Sequence, residues 1–111
     1  MSKQNQKEGA FQSGLIRDIK KRFKGCIVMK SDSSHLQGIP DLLVLYEKNW
    51  AALECKRSSK SRKRPNQQYY VERMNEMSFA SFIYPENKEE VLSEMEHAFG
   101  TAGQSRVPIG K

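Results

Sequence analysis

At 111 residues the chain is long enough for one domain around one modest core and too short for two independent ones. Hydrophobic residues make up 37% and charged residues 29%, with only four Pro and seven Gly, which excludes a low-complexity or fully disordered chain. Lys and Arg number 19 against 13 Asp and Glu, a formal charge of +6 with a pI near 9.4, and this favours a polyanionic partner such as nucleic acid. The two cysteines, Cys26 and Cys55, lack metal-type spacing and are too few for a disulfide framework, so a reducing cytosol fits. No extended apolar run reads as a signal peptide or membrane span, and a cytoplasmic protein without a membrane partner is expected.

Residues 1–7 are polar and aperiodic and read as a flexible start. A helix is predicted over about residues 8–23, because Phe11, Leu15, Ile19 and Phe23 recur every four residues with Ile16 beside them; Gly25 ends it. Residues 26–30, β-branched at Ile27 and Val28, suggest a strand, followed by a polar loop over 31–38. Residues 39–46 are almost continuously apolar, residues 47–49 are a polar break, and residues 50–55 are apolar again, which reads as a β-hairpin whose first strand is central.

The stretch KRSSKSRKR over 56–64 holds six basic residues in nine and reads as a solvated loop or helix entry. Pro65 or Asn66 opens a helix to about Met77, with Tyr70, Met74 and Met77 as its buried face. A strand follows from Phe79 to Tyr84, stopped by Pro85. The last helix is expected to open on Asn87 as N-cap with Glu90 three residues on, and to bury Val91, Leu92, Met95 and Phe99. Beyond Gly100 periodicity is lost, so residues 100–111 read as a flexible tail and residues 8–99 as the single domain. The element order is α-β-β-β-α-β-α, a mixed α/β domain with a small sheet between helices.

The hairpin brings distant residues together. If its turn centres on Glu47 and Lys48, antiparallel partners sum to 95 and Asp41 faces Glu54; if it centres on Lys48 and Asn49, Asp41 faces Lys56. In either register opposed Cα atoms are roughly 4.5–5.5 Å apart. Glu54 and Lys56 project from one strand face, because side chains alternate. Taken singly, an Asp after Pro caps turns and Glu-x-Lys makes exposed ion pairs. Taken jointly, two acids at the end of an apolar hairpin repel and lose hydration unless a cation joins them. Carboxylates suit Mg²⁺ or Mn²⁺, which keep several waters and accept phosphate oxygens from a substrate. Lys56 beside such an ion can face a phosphate oxygen or the attacking water, so the constellation outlines phosphodiester hydrolysis.

The run QGIPDLLVLYEKNWAALECK, residues 37–56, resembles the Pro-Asp…Glu-x-Lys core of PD-(D/E)XK nucleases, most closely the compact phage-type VRR-NUC domains. The resemblance extends over about residues 8–99 and takes in RPNQQYY, residues 64–70; the Val-Arg-Arg string that names the wider family is absent. It implies a restriction-endonuclease-like fold in which Asp41 and Glu54 bind Mg²⁺, with Mn²⁺ as a substitute, assisted by the backbone carbonyl of Cys55, and in which Lys56 is catalytic. Glu8 matches the acid that many members use as an additional metal ligand, although a carboxylate at a helix start also serves the dipole. Gln67 matches a family Gln near the site, although a solvated helix-start Gln is the plainer alternative. The Cys55 side chain points to the opposite strand face and is expected in the core.

Lys60, Arg62, Lys63 and Arg64 follow the site strand directly and are assigned to the DNA backbone. Tyr69 and Tyr70 are candidates for base stacking, one of them being core. His35, in the loop before Asp41, is a candidate phosphate contact, although a lone loop His is usually just solvated. The expected activity is a metal-dependent endodeoxyribonuclease, structure-selective for branched or junction DNA by the resemblance. A non-catalytic DNA-binding module and an RNA-directed nuclease are the competing readings. A domain this small covers little duplex, and a homodimer would bring two sites to two strands.

Overall fold

The computed structural model describes the backbone of residues 3–109 and the side chains of residues 9–100. Helix α1 spans Lys3–Arg22. It begins before the apolar stripe does, because the Lys and Gln residues of its first turns are good helix formers that carry no periodic signal. Strands β1 (Ile27–Lys30), β2 (Leu42–Tyr46) and β3 (Asn49–Cys55) follow, then helix α2 (Pro65–Met77) and strand β4 (Phe79–Ile83). A single 3₁₀ turn, Pro85–Asn87, leads into helix α3 (Lys88–Ile109). The backbone of α3 stays helical past Gly100, where a flexible tail was expected; side chains beyond that point lie outside the described residues.

The sheet order is β1-β2-β3-β4. The first three strands pair antiparallel and β4 pairs parallel to β3. Two parallel neighbours need a crossover connection, and α2 supplies it. In the hairpin Leu42 faces Leu53 and Tyr46 faces Asn49, the register centred on Glu47 and Lys48. Glu47 takes a left-handed backbone, φ 56°, to close that two-residue turn. The ladder starts at Leu42 rather than Ile39, since Pro40 has no N–H to contribute; the Ser31 N–H still donates to the Asp41 carbonyl at 2.8 Å.

Alternation along β2, β3 and β4 divides the core in two. Leu42, Val44, Leu53, Cys55 and Ile83 face α1 and α3, where Leu15, Ile19, Phe23, Leu92, Met95 and Phe99 complete the main core. Phe23 meets Tyr46 and Phe99 edge-on, with centroids 5.5 and 5.6 Å away, a favoured aromatic geometry. Asp18 of α1 pairs with Lys88, and Arg22 with Glu89 and Glu96 at 3.2 and 3.1 Å, so charge also holds α1 to α3.

On the other face Ala52 and Ala80 pack against Val71 of α2, with Trp50, Met74 and Phe82 around them. The buried residue of α2 is therefore Val71 and not the expected Tyr70 and Met77; Met77 is 60% exposed. Two alanines let the helix approach closely enough for a β-branched side chain to fill the gap. Asn87 also departs from expectation. Its carboxamide accepts the Tyr84 N–H at 2.8 Å and donates to the Phe82 carbonyl at 3.2 Å, tying the turn back to β4 instead of capping α3. Among the described residues no helix is long and apolar enough to cross a membrane.

Candidate active site

The site forms at the C-terminal end of β3. Alternation puts Leu53 and Cys55 in the main core and turns Glu54 toward α2, where it is 4% exposed and the one buried charged side chain among the described residues. Beyond β3 the Lys56 N–H donates to the Ile83 carbonyl at 2.9 Å, which prolongs the parallel ladder by one residue and keeps Lys56 on the face of Glu54. Asp41, just ahead of β2, accepts the main-chain N–H of Cys55 through Oδ2 at 3.0 Å. That bond fixes the Asp41 carboxylate beside the end of the neighbouring strand.

Gln67 completes the set from α2. Its Nε2 donates to Glu54 Oε2 at 2.9 Å, and its Oε1 accepts from Lys56 Nζ at 2.8 Å. The same Oε1 accepts the Arg64 N–H at 3.1 Å. Two donors on one oxygen and an acceptor at the nitrogen fix the orientation of the carboxamide. Lys56 Nζ stands 3.9 Å from Glu54 Oε2, so the carboxamide is wedged between ammonium and carboxylate and holds them apart. Pro65 opens α2 in the position where its missing N–H costs nothing, and this sets the helix so that its third residue is Gln67.

These four side chains line an open cleft of about 520 Å³ with Arg64, Asn66 and the loop residues Ser34, Gln37 and Gly38. The loop is shaped locally: Asp32 accepts the Ser34 hydroxyl and N–H, and those bonds hold its carboxyl below the ordinary range. Gly38 has φ 93°, and a Cβ there would come within 2.7 Å of the Asn66 side chain. A residue with no side chain is required for this approach.

Among the described residues no group of three or more His, Cys, Asp or Glu side chains could hold a metal ion. The donor set that converges is two carboxylates, Asp41 and Glu54, next to the Cys55 main chain. That set fits a hard divalent cation of the Mg²⁺ type, which takes one or two protein carboxylates and fills its other positions with water and phosphate oxygen. Glu8 lies on α1, and its side chain is outside the described residues.

No protein-family model matches the sequence, and no curated protein matches it. Among solved structures, a chain described as "VRR_NUC domain" superposes with a TM-score of 0.62 at 25% identity, covering 84% of this chain and 98% of its own. A second, described as "VRR_NUC domain protein", gives a TM-score of 0.64 at 18% identity and covers 85% of this chain and 88% of its own. The fold is that of a VRR-NUC domain, in the PD-(D/E)XK nuclease superfamily.

The basic segment, expected as a solvated loop or helix entry, is an exposed loop with a few local bonds. Ser61 donates its N–H to the Ser58 carbonyl at 3.1 Å, and the Ser59 N–H reaches Glu86 Oε1 at 3.1 Å. Lys63 Nζ lies 5.1 Å from the Phe82 ring centre and 5.7 Å from that of Tyr84, within cation–π range. Arg64 reaches the cleft, whereas Lys60, Arg62 and Lys63 are exposed outside its lining. His35 is exposed and does not line the cleft, and Tyr69, 56% exposed, stands edge-on to Tyr70 at 5.1 Å. The sequence reading missed Asn66, Gln37 and Ser34. The one signal for Asn66 was its place between Pro65 and Gln67; the loop residues carry none.

Proposed function

We propose that this VRR-NUC domain is a divalent-metal-dependent endonuclease that hydrolyses DNA phosphodiesters, with branched or junction DNA as its substrate class. The observation that carries the proposal is the Glu54–Gln67–Lys56 chain beside Asp41 at the floor of an open polar cleft. Hydrolysis needs a place for a phosphate, a positive group against its oxygens and an oriented water, and this chain of residues supplies partners for each. Asp41 and Glu54, with the Cys55 carbonyl, would hold Mg²⁺ or Mn²⁺. When bound, the ion supplies Lewis acidity toward a phosphoryl oxygen and lowers the pKa of water.

The remaining steps belong to the protein. Lys56, held by Gln67, presents its ammonium to a non-bridging phosphate oxygen and offsets the charge that accumulates there as water attacks phosphorus. The new P–O bond forms as the bond to one sugar oxygen breaks; the attacking water loses a proton to solvent and the departing oxygen gains one. Arg64 at the cleft wall and the exposed Lys60, Arg62 and Lys63 receive neighbouring backbone phosphates. The net charge of +6 supports a polyanion in the cleft, and branched DNA rests on the family resemblance.

The test is cleavage of labelled duplex, single strand, flap, four-way junction and RNA by the wild type and Asp41→Ala, each with Mg²⁺, Mn²⁺ or EDTA. The expected result is metal-dependent cutting of branched DNA that Asp41→Ala abolishes. Tight DNA binding with no cutting under any condition would overturn the nuclease reading, and cutting confined to RNA would overturn the substrate.

A further inference from the structure

Three carboxamides line the cleft, and they are used differently. Gln67 has both ends engaged, its nitrogen on Glu54 and its oxygen on Lys56 and the Arg64 N–H. Gln37, in the β1–β2 loop, and Asn66, in the first turn of α2, are exposed, and among the described residues neither side chain has a hydrogen-bond partner. The backbone nevertheless brings them together. Gly38 follows Gln37 with φ 93°, and side-chain atoms of Asn66 lie 2.7–2.9 Å from where a Cβ on Gly38 would stand. The loop is thus seated against the start of the helix in a conformation that glycine adopts without strain. Amides that meet only water need no such close approach.

The charges of the cleft come from elsewhere, from Asp41, Glu54 and Lys56 at the strand ends and from Arg64 ahead of α2. The part built by Ser33, Ser34, Gln37 and Asn66 carries none, and it has a carboxylate beside it. Asp32 accepts the Ser34 hydroxyl at 2.5 Å and the Ser34 N–H at 3.0 Å. A negative charge with no cation next to it opposes a phosphate. The Ser34 hydroxyl, its proton given to Asp32, can only accept. This wall therefore presents neutral groups in which a donor stands beside an acceptor, and that pattern matches the edge of a base. Asn or Gln forms two bonds at once with N6 and N7 of adenine. The cleft, about 520 Å³, is in the range that takes one small ligand such as a nucleotide, and a phosphate against Lys56 leaves the adjoining base to the neutral wall.

We propose that Gln37 and Asn66 read the edge of the base next to the scissile phosphate and give the enzyme a preference for adenine at that position. The proposal rests on the nuclease reading and adds to it a determinant of where the strand is cut.

The test is cleavage, in Mg²⁺, of flap and four-way junction substrates randomised around the cut, with the product ends sequenced. The wild type should cut about tenfold or more often where adenine adjoins the cut. Gln37→Ala and Asn66→Ala should each bring that ratio down toward one, with circular dichroism melts like that of the wild type because both positions are exposed. Gln37→Glu, which only accepts, should move the preference toward cytosine, whose N4 amino group donates. Cutting by the wild type with no base preference overturns the proposal and leaves the nuclease reading standing, as do variants that lose rate but keep the adenine preference. A wild-type chain that cuts nothing overturns both.

Discussion

Lys56 Nζ donates to Gln67 Oε1 at 2.8 Å, although one residue directly follows the inner strand β3 and the other lies in the first turn of the helix that crosses from β3 to β4. Under the proposed function Gln67 would be a positioning residue, since its carboxamide holds the ammonium and the Glu54 carboxylate in one frame. Gln67→Ala should lower kcat about 10–100-fold while KM for DNA changes little, because the phosphate contacts of Arg64 remain. A matching rise in KM with unchanged kcat would assign Gln67 to substrate binding instead.

Glu54→Gln keeps the volume and the bond to Gln67 but removes the charge. Its expected cost is on the order of 10²–10³ in kcat, with a lowered melting temperature, since the Lys56 ammonium 3.9 Å away loses its carboxylate partner. A variant that cuts normally would remove Glu54 from the site.

Gly38→Ala tests the close approach of the loop to α2. A left-handed backbone and a Cβ 2.7 Å from Asn66 both penalise the substitution, by about 1–3 kcal/mol together. Asn66→Gly in the same chain should recover the steric part and leave the backbone part, and thermal melts of the two single variants and the double variant separate them.

Lys63→Ala should act twice. Loss of the ammonium over Phe82 and Tyr84 should cost about 0.5–1 kcal/mol of stability. The slope of log K for DNA against log salt should also fall by about one, as for a residue neutralising one phosphate. Arg64→Ala should show the slope change without the stability loss.

The Asp18 carboxyl is held below its ordinary value of 3.8, chiefly by the hydrogen bond from Lys88. A carboxyl lowered on folding contributes stability above its unfolded pKa and loses it as pH falls through the folded value. Acid unfolding of the wild type below about pH 4 should therefore be steeper than that of Asp18→Asn, and the two should run in parallel near neutrality. Equal acid limbs would remove the Asp18–Lys88 pair from the α1–α3 coupling and leave it to the core and the Arg22 pairs.

Much of this architecture was legible because it is written in periodicity. Leu15, Ile19 and Phe23 announced α1 and Val91, Leu92, Met95 and Phe99 announced α3, while the apolar runs on either side of Glu47 and Lys48 announced the hairpin and left two registers to choose between. The juxtaposition of Asp41, Glu54 and Lys56 follows from the hairpin pairing together with strand alternation. Contacts made across the sheet were not legible. That Val71 rather than Met77 is buried depends on Ala52 and Ala80 standing opposite, and that Asn87 serves β4 rather than α3 depends on where Tyr84 and Phe82 fall. The polar wall formed by Ser34, Gln37 and Asn66 has no pattern of its own, since those residues lie in a loop and on an exposed first turn.

The tip of the hairpin is solvent-exposed and lies at the far end of β3 from the cleft, yet it works as the ruler of the chemistry. Every residue of β3 is counted off from Glu47 and Lys48. One residue added there, with β2 held in place, would exchange the two faces of β3 and send Glu54 into the packing between α1 and α3, with Cys55 turned toward the cleft. Length at this remote turn should therefore be as intolerant of change as the identity of Glu54 itself, while its composition is limited only by the left-handed backbone at Glu47.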